Sequence, residues 1–209
     1  MNLLQYLLSV FSFVSFLVVG AQPWTDDYSE DLNGTILFTT DPGIVELKNF
    51  TTEKSDSNFT LLEDIYFRIF LSKPLEKVYK ELNYTYDFET QLNRYNYALR
   101  VYSDGVLKLQ WLDEMGEDDF QYATTRAFTL SSDLSRIKQR YSTMVNDWVD
   151  LVSKLDNGRH EITIELVPLN KRNVGKEIPV LARGSFNLLV DKSKMETFKE
   201  RKLTGIPKS

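Results

Sequence analysis

Short segments in which apolar and polar residues alternate recur along this chain, and they constrain its fold more than any other feature. Successive side chains of a β-strand point to opposite faces, so this alternation is typical of strands with one buried face. Because turn residues separate the segments, they favour an antiparallel sheet protein over β-α-β units. The segments interpreted as strands are 35–39, 44–50, 61–71, 84–88, 95–102, 106–111, 120–130, 160–167 and 178–190.

The clearest local signal is a β-hairpin over residues 94–112. Apolar residues alternate in both arms, and Ser103, Asp104 and Gly105 lie between them. Asp-Gly is a dipeptide that two-residue hairpin turns prefer, because both positions adopt positive φ readily. We therefore predict two adjacent antiparallel strands here.

Helical periodicity is strongest late in the chain. Apolar residues between positions 134 and 155 recur at steps of three and four, and Gly158 follows shortly afterwards. This spacing predicts an amphipathic helix over residues 132–155, and a shorter helix is predicted after Pro74. The expected fold is therefore mainly β: an antiparallel β-sandwich of about eight or nine strands with the long helix 132–155 packed on it.

The N-terminal segment has a different character from the rest of the chain. Residues 1–21 carry no charged side chain and are rich in Leu, Val and Phe, which is the pattern of a cleaved signal peptide. An uncleaved membrane anchor is the alternative, because no Lys or Arg precedes the apolar run. The remaining layout is expected to be a mobile acidic lead-in (22–32), one domain (33–191) and a basic tail (192–209).

Composition excludes several kinds of site. The chain has no Cys and one His, so disulfides, zinc ribbons, thiol nucleophiles and multi-histidine metal sites are impossible. Its net charge of −5 argues against nucleic acid as a partner, because phosphate binding needs a concentrated basic face. With the predicted signal peptide, the expected location is secreted or periplasmic, without stable membrane insertion after cleavage.

Four Asn-X-Thr sequons occur, where chance predicts about two from the frequencies of these residues. In a eukaryote they would mark exposed positions, whereas in a bacterium they would most often carry no meaning. Their asparagines are Asn33, Asn49, Asn58 and Asn83.

An acidic segment follows the predicted hairpin and is the best candidate for metal binding. Carboxylate oxygens suit Ca²⁺, although the spacing does not match an EF-hand loop. A solvated turn is the alternative, as is a pair of glycosidase carboxylates. The candidate ligands are Asp113, Glu117, Asp118 and Asp119. No other cofactor is expected.

Tyrosine is unusually dense between residues 79 and 102. Its ring is apolar and its hydroxyl polar, so it suits half-exposed surfaces that stack on sugars or pack on a partner. Filling of the sandwich core is the alternative. The candidate ligand-binding rings are Tyr84, Tyr86 and Tyr102.

His160 is the only possible imidazole base. It lies at the mouth of a predicted strand, and we interpret it as a rim histidine. A role as general base has no local support, because no G-x-S-x-G elbow occurs.

These patterns favour a non-enzymatic, exported protein that acts in binding or assembly at the cell surface, with a protein or a glycan as partner. A carbohydrate-binding module and a carboxylate-dependent secreted hydrolase are the alternatives. Two carboxylates about 5–9 Å apart in a cleft would favour the hydrolase. Three coplanar exposed rings would favour the module, and a bare sheet edge or apolar patch would favour assembly.

Overall fold

The computed structural model describes residues 28–41, 52, 55–86, 88, 95–130, 142–169 and 178–200. Its strands are β1 (Ile36–Thr39), β2 (Asn58–Thr60), β3 (Tyr66–Phe70), β4 (Tyr97–Ser103), β5 (Val106–Asp113), β6 (Thr125–Thr129), β7 (Gly158–Pro168) and β8 (Ala182–Val190). Its α-helices are α1 (Leu75–Leu82), α2 (Glu117–Tyr122), α3 (Ser142–Ser153) and α4 (Met195–Lys199). The expectation of a mainly β protein is confirmed.

The strands form a five-stranded sheet in the order β2-β8-β7-β4-β5 and a three-stranded sheet in the order β1-β3-β6. Every pairing is antiparallel except β2–β8, which is parallel, so the expectation of a purely antiparallel fold is wrong at this edge. Asn58 and Asn187 pair across 129 positions of sequence. Local alternation carries no signal for a pairing over such a separation.

The two sheets share one apolar core. The ring centroids of Phe38 in β1 and Phe186 in β8 are 4.7 Å apart, and Tyr97 of β4 meets Phe128 of β6 edge to face. The predicted hairpin is confirmed, because β4 and β5 pair around Asp104 and Gly105. The core is therefore built from the faces that the alternation marks as apolar.

The predicted long helix is not shown. Of residues 132–155, the structure describes a helix only over Ser142–Ser153, and residues 131–141 lie outside its described part. The predicted apolar stripe is buried where α3 is described: Val145, Trp148 and Val152 are buried, and the Trp148 ring lies 6.2 Å from Phe186. The stripe thus packs on the five-stranded sheet.

The strand predicted at 84–88 is wrong, and the strand predicted at 120–130 is confirmed only over β6. Residues 120–122 instead belong to α2 (117–122), because three acidic residues occupy the helix's first turn, where they favour the N-terminal dipole. The described residues of 84–88 are not in a strand, because their rings pack into an aromatic cluster described below. The predicted strand 44–50 lies outside the described residues.

The helix predicted after Pro74 is confirmed as α1. The strand predicted at 61–71 is shorter than expected, since only β3 is extended and Leu61–Leu62 form a turn before it.

The described parts of the two terminal segments contact the core. Leu32 is buried beside Phe70, and in α4 the side chains of Met195 and Phe198 are buried. The predicted signal peptide and residues 201–209 lie outside the described residues. Among the described helices, none is long and apolar enough to cross a bilayer.

Candidate functional site

The acidic segment is organised around a buried arginine. Asp113 ends β5, and Asp119 lies in the first turn of α2. Arg126 of β6 reaches both, with Nη2 3.4 Å from Asp113 Oδ2 and Nη1 3.3 Å from Asp119 Oδ2. Glu117 and Asp118 are exposed on α2. The structure therefore brings together two of the four predicted metal ligands.

Arg126 is held by more than these carboxylates. Its Nη2 donates to the Glu114 carbonyl at 3.2 Å, and its guanidinium lies 5.5 Å from the centre of the Tyr97 ring. The Tyr97 hydroxyl donates to Asp113 in turn. The positive charge that faces these acids is thus supplied by the chain itself.

This arrangement bears on both chemical interpretations of the acidic segment. A guanidinium shared by Asp113 and Asp119 stands where a bound cation would stand. Within the described residues, no group of three or more His, Asp or Glu is placed to hold a metal ion. Calcium binding and a pair of hydrolase carboxylates both stay predictions, and the contacts of Arg126 with Asp113 and Asp119 favour neither.

Tyr84 and Tyr86 pack inward instead of forming a platform. Their rings meet Tyr79 edge to face at 5.5 and 6.2 Å, and Tyr86 stacks on Phe120 at 5.3 Å. The Tyr86 hydroxyl donates to Glu114 Oε1 at 3.1 Å. Burial and the Glu114 carboxylate raise the pKa of Tyr86 to about 12. These rings join α1 and α2 to the start of β4.

Tyr79 is the centre of this cluster. Its hydroxyl lies 2.6 Å from the Asn96 carbonyl oxygen and also contacts the Leu169 carbonyl. Burial raises the pKa of Tyr79 well above its usual range. Tyr79, Tyr84 and Tyr86 therefore contribute to packing.

Tyr102 lies apart from the other two candidate rings. It is five residues beyond Tyr97 along β4, a distance of about 17 Å, and it points to the opposite face of the sheet. Tyr102 is half-buried beside Glu165 and Arg100. Burial is the main reason that its pKa is raised, and Glu165 raises the pKa further. The three rings predicted to bind a ligand do not share one surface.

His160 is engaged through both ring nitrogens. Nδ1 lies 2.7 Å from Asp104 Oδ2, and Nε2 lies 3.0 Å from the Asp156 carbonyl oxygen. Both partners are acceptors, and the imidazolium form, in which both nitrogens donate, satisfies both contacts. The sequence identifies Asp104 only as a turn residue, because its partner His160 lies 56 positions away along the chain.

The sheet edges differ in how well they are protected. At β2, which has three residues, the Thr60 backbone N–H donates to the Glu63 carboxylate. At β1, the Phe38 carbonyl accepts from the Asp56 N–H at 2.7 Å. Residues outside β1 and β2 thus form hydrogen bonds with backbone groups of both strands that would otherwise face solvent.

Strand β5 is the longer edge and the barer one. It has eight residues and ends the five-stranded sheet, and no backbone group in the described ranges pairs with its outer side. Val106, Leu107 and Leu112 are 56%, 49% and 45% exposed. On the core side, Trp111 is buried and its Nε1 donates to Asp147 of α3 at 3.2 Å. One side of β5 is therefore anchored, while its outer edge has no backbone partner among the residues that the structure describes.

No model of a known protein family matches this chain, and no curated protein is significantly similar to it. Its function must therefore be argued from its own surfaces. The alternation of β5 predicts a strand, but the order of strands in the sheet, which makes β5 an edge, is a tertiary property.

Proposed function

We propose that this chain is a secreted or periplasmic, non-enzymatic β-sandwich protein that acts in assembly at the cell surface through strand β5. The observation that carries the proposal is the eight-residue edge of β5 with its exposed apolar side chains. The uncharged apolar segment 1–21 supports export.

An open edge favours pairing because its N–H and C=O groups form a template for another strand. Protected edges avoid this by being short or by hydrogen bonding to nearby residues, as β1 and β2 do. Strand β5 lacks that protection between Leu109 and Asp113, and its exposed Leu112 would be buried on pairing, which stabilises by roughly 25 cal/mol for each Å² of apolar surface. The edge is thus suited to a specific polypeptide partner.

One irregularity restricts where a partner strand binds. Val101 pairs with Leu109 and Tyr102 with Leu107, so Lys108 forms a bulge in β5. A bulge and a lysine both discourage pairing at a sheet edge. Regular pairing is therefore confined to the half of β5 from Leu109 to Asp113.

A second copy of this chain is the partner that β5 fits best. Two copies of one strand pair antiparallel about a twofold axis, which places the start of each beside the end of the other. With pairing confined to Leu109–Asp113, the twofold axis passes Trp111, and Gln110 of one copy lies opposite Leu112 of the other. The two Leu112 side chains are then diagonal neighbours on one face of the sheet, within reach of each other.

Sedimentation equilibrium of the secreted chain tests this proposal. We expect a concentration-dependent dimer, weakened at least tenfold by Leu112→Lys. The matched control is Leu189→Lys on β8, where the leucine is 49% exposed but does not lie on the β5 edge. A chain that remains monomeric up to millimolar concentration, or an equal effect of both variants, contradicts assembly through β5.

A further inference from the structure

Three of the four sequons lie among the described residues, and each presents its asparagine on the surface. Asn33, Asn58 and Asn83 are all exposed, and a threonine stands two positions after each. Asn49 lies outside the described residues. An exposed Asn-X-Thr is the acceptor for N-glycosylation in the secretory pathway.

The local geometry at Asn33 and Asn83 leaves room for a sugar. Asn33 follows a 3-10 turn, and its Oδ1 accepts from the Tyr28 hydroxyl at 3.2 Å, so Nδ2 is the atom left for attachment. Asn83 ends α1 with a left-handed backbone, at φ 58° and ψ 36°. Both side chains therefore lie at turns.

Asn58 lies in strand β2 and is compatible with glycosylation for a different reason. Its Nδ2 donates to Ser57 Oγ at 3.0 Å, and its Oδ1 accepts from Asn187 at 3.3 Å. A carboxamide nitrogen carries two hydrogens, and a glycosidic bond replaces only one. One N–H of Asn58 therefore remains after attachment.

We propose that Asn33, Asn58 and Asn83 are N-glycosylated. In the transfer, Nδ2 forms a bond to C1 of a lipid-linked oligosaccharide. The bond from C1 to the diphosphate oxygen breaks, the lipid diphosphate leaves, and one amide proton passes to a base of the transferase. The inference rests on the secreted alternative of the proposed function, because this donor is used in the lumen of the eukaryotic secretory pathway.

The position of two of these sites separates the glycans from β5. Asn58 lies on β2, and Thr35 of the Asn33 sequon bridges to Arg183 of β8. Strand β2 is four steps from β5 across the sheet, about 19 Å at the usual strand spacing. Glycans at Asn33 and Asn58 thus shield the β2 side and leave the β5 edge accessible.

The test expresses the full chain, with its own residues 1–21, in a eukaryotic secretory cell line. We expect the secreted protein in the medium to lose mass on treatment with peptide N-glycosidase F. The same treatment should convert Asn33, Asn58 and Asn83 to Asp. Asn33→Gln, Asn58→Gln and Asn83→Gln should each remove one glycan. Thr60→Ser should retain the glycan at Asn58, whereas its isostere Thr60→Val should remove it.

The outcomes separate this inference from the proposed function. Secreted chain of unmodified mass overturns glycosylation and leaves export and assembly standing. Chain retained in the cell overturns export. In that case, a second version of the chain with a heterologous secretion leader tests the sites directly. If this version is secreted with unmodified mass, glycosylation is overturned. Dimerisation that appears only after the glycans at Asn33 and Asn58 are removed would overturn their placement away from β5.

Discussion

At the scale of single residues, Arg126 shows how a charge is accommodated in a β-rich core. The residue is 9% exposed and contacts Asp113, Asp119 and the aromatic ring of Tyr97. A buried guanidinium is tolerated only where carboxylates and ring faces replace water. The acids around it are consequently part of the fold.

Arg126→Met is expected to lower the free energy of unfolding by about 2 to 3 kcal/mol, because it leaves Asp113 without its buried partner. Urea denaturation followed by circular dichroism measures the loss. Lys73→Met is the control, since it breaks the exposed pair with Glu81 and should cost less than about 1 kcal/mol. Equal losses would show that burial adds nothing to the Arg126 interactions.

At the scale of elements, the Asp104–His160 pair ties the β4–β5 turn to the start of β7. Asp104 has a positive φ of 52° and accepts from both the His160 ring and the Glu161 N–H, the latter at 2.9 Å. Burial acts to lower the pKa of His160, but hydrogen bonds to Asp104 and the Asp156 carbonyl outweigh it, and the pKa is raised. The hydrogen bond from His160 lowers the pKa of Asp104.

These two shifts predict the pH range in which the pair stabilises the fold. The contribution of His160 is complete below its unfolded pKa near 6.5 and is lost as pH rises through its folded pKa. The contribution of Asp104 is complete above its unfolded pKa of about 3.9 and is lost as pH falls through its lower folded pKa. His160→Gln should therefore destabilise more at pH 5.5 than at pH 8.5, as measured by urea denaturation.

Asp104→Asn provides the control for this pH dependence. Asparagine tolerates the left-handed backbone of the turn, but it carries no charge to pair with the imidazolium. In the Asp104→Asn background, the effect of His160→Gln should vary much less between the two pH values. If it varies as much as in the unmodified chain, the dependence arises elsewhere.

At the scale of the whole molecule, the two sheets come together through close approach of β1 and β8. A Cβ atom placed on Gly184 of β8 would lie 2.0 Å from the carbonyl oxygen of Ile36 in β1. Only a residue without a side chain permits this approach, and the packing of Phe38 on Phe186 depends on it. One glycine thus sets the spacing between two layers.

Gly184→Ala is expected to destabilise the protein by about 3 kcal/mol, since a backbone carbonyl cannot move aside as a flexible side chain can. Thermal and urea unfolding measure the change. Gly116→Ala is the comparison, because a Cβ there meets nothing within 4 Å and the position, at φ −58°, suits alanine. A loss at Gly184 no larger than at Gly116 would rule out the close approach.

Predictions from the sequence succeeded where the physics is local. The Asp104-Gly105 turn and its flanking alternation define a hairpin, and the helix after Pro74 follows from spacing alone. They failed at residues 120–122, which were expected to begin a strand, because the acids at 117–119 favour the start of a helix. The candidate site was least predictable, because Arg126 was not recognised as the partner of the acidic segment.

The sequence by itself determined the mainly β character, the hairpin and the exclusion of cysteine chemistry, because each depends on neighbouring residues or on composition. Only the tertiary structure decided that Arg126 neutralises the acidic segment, that His160 pairs with Asp104, and that β5 forms the bare edge of the larger sheet. These depend on contacts between residues far apart in the chain, for which periodicity holds no information.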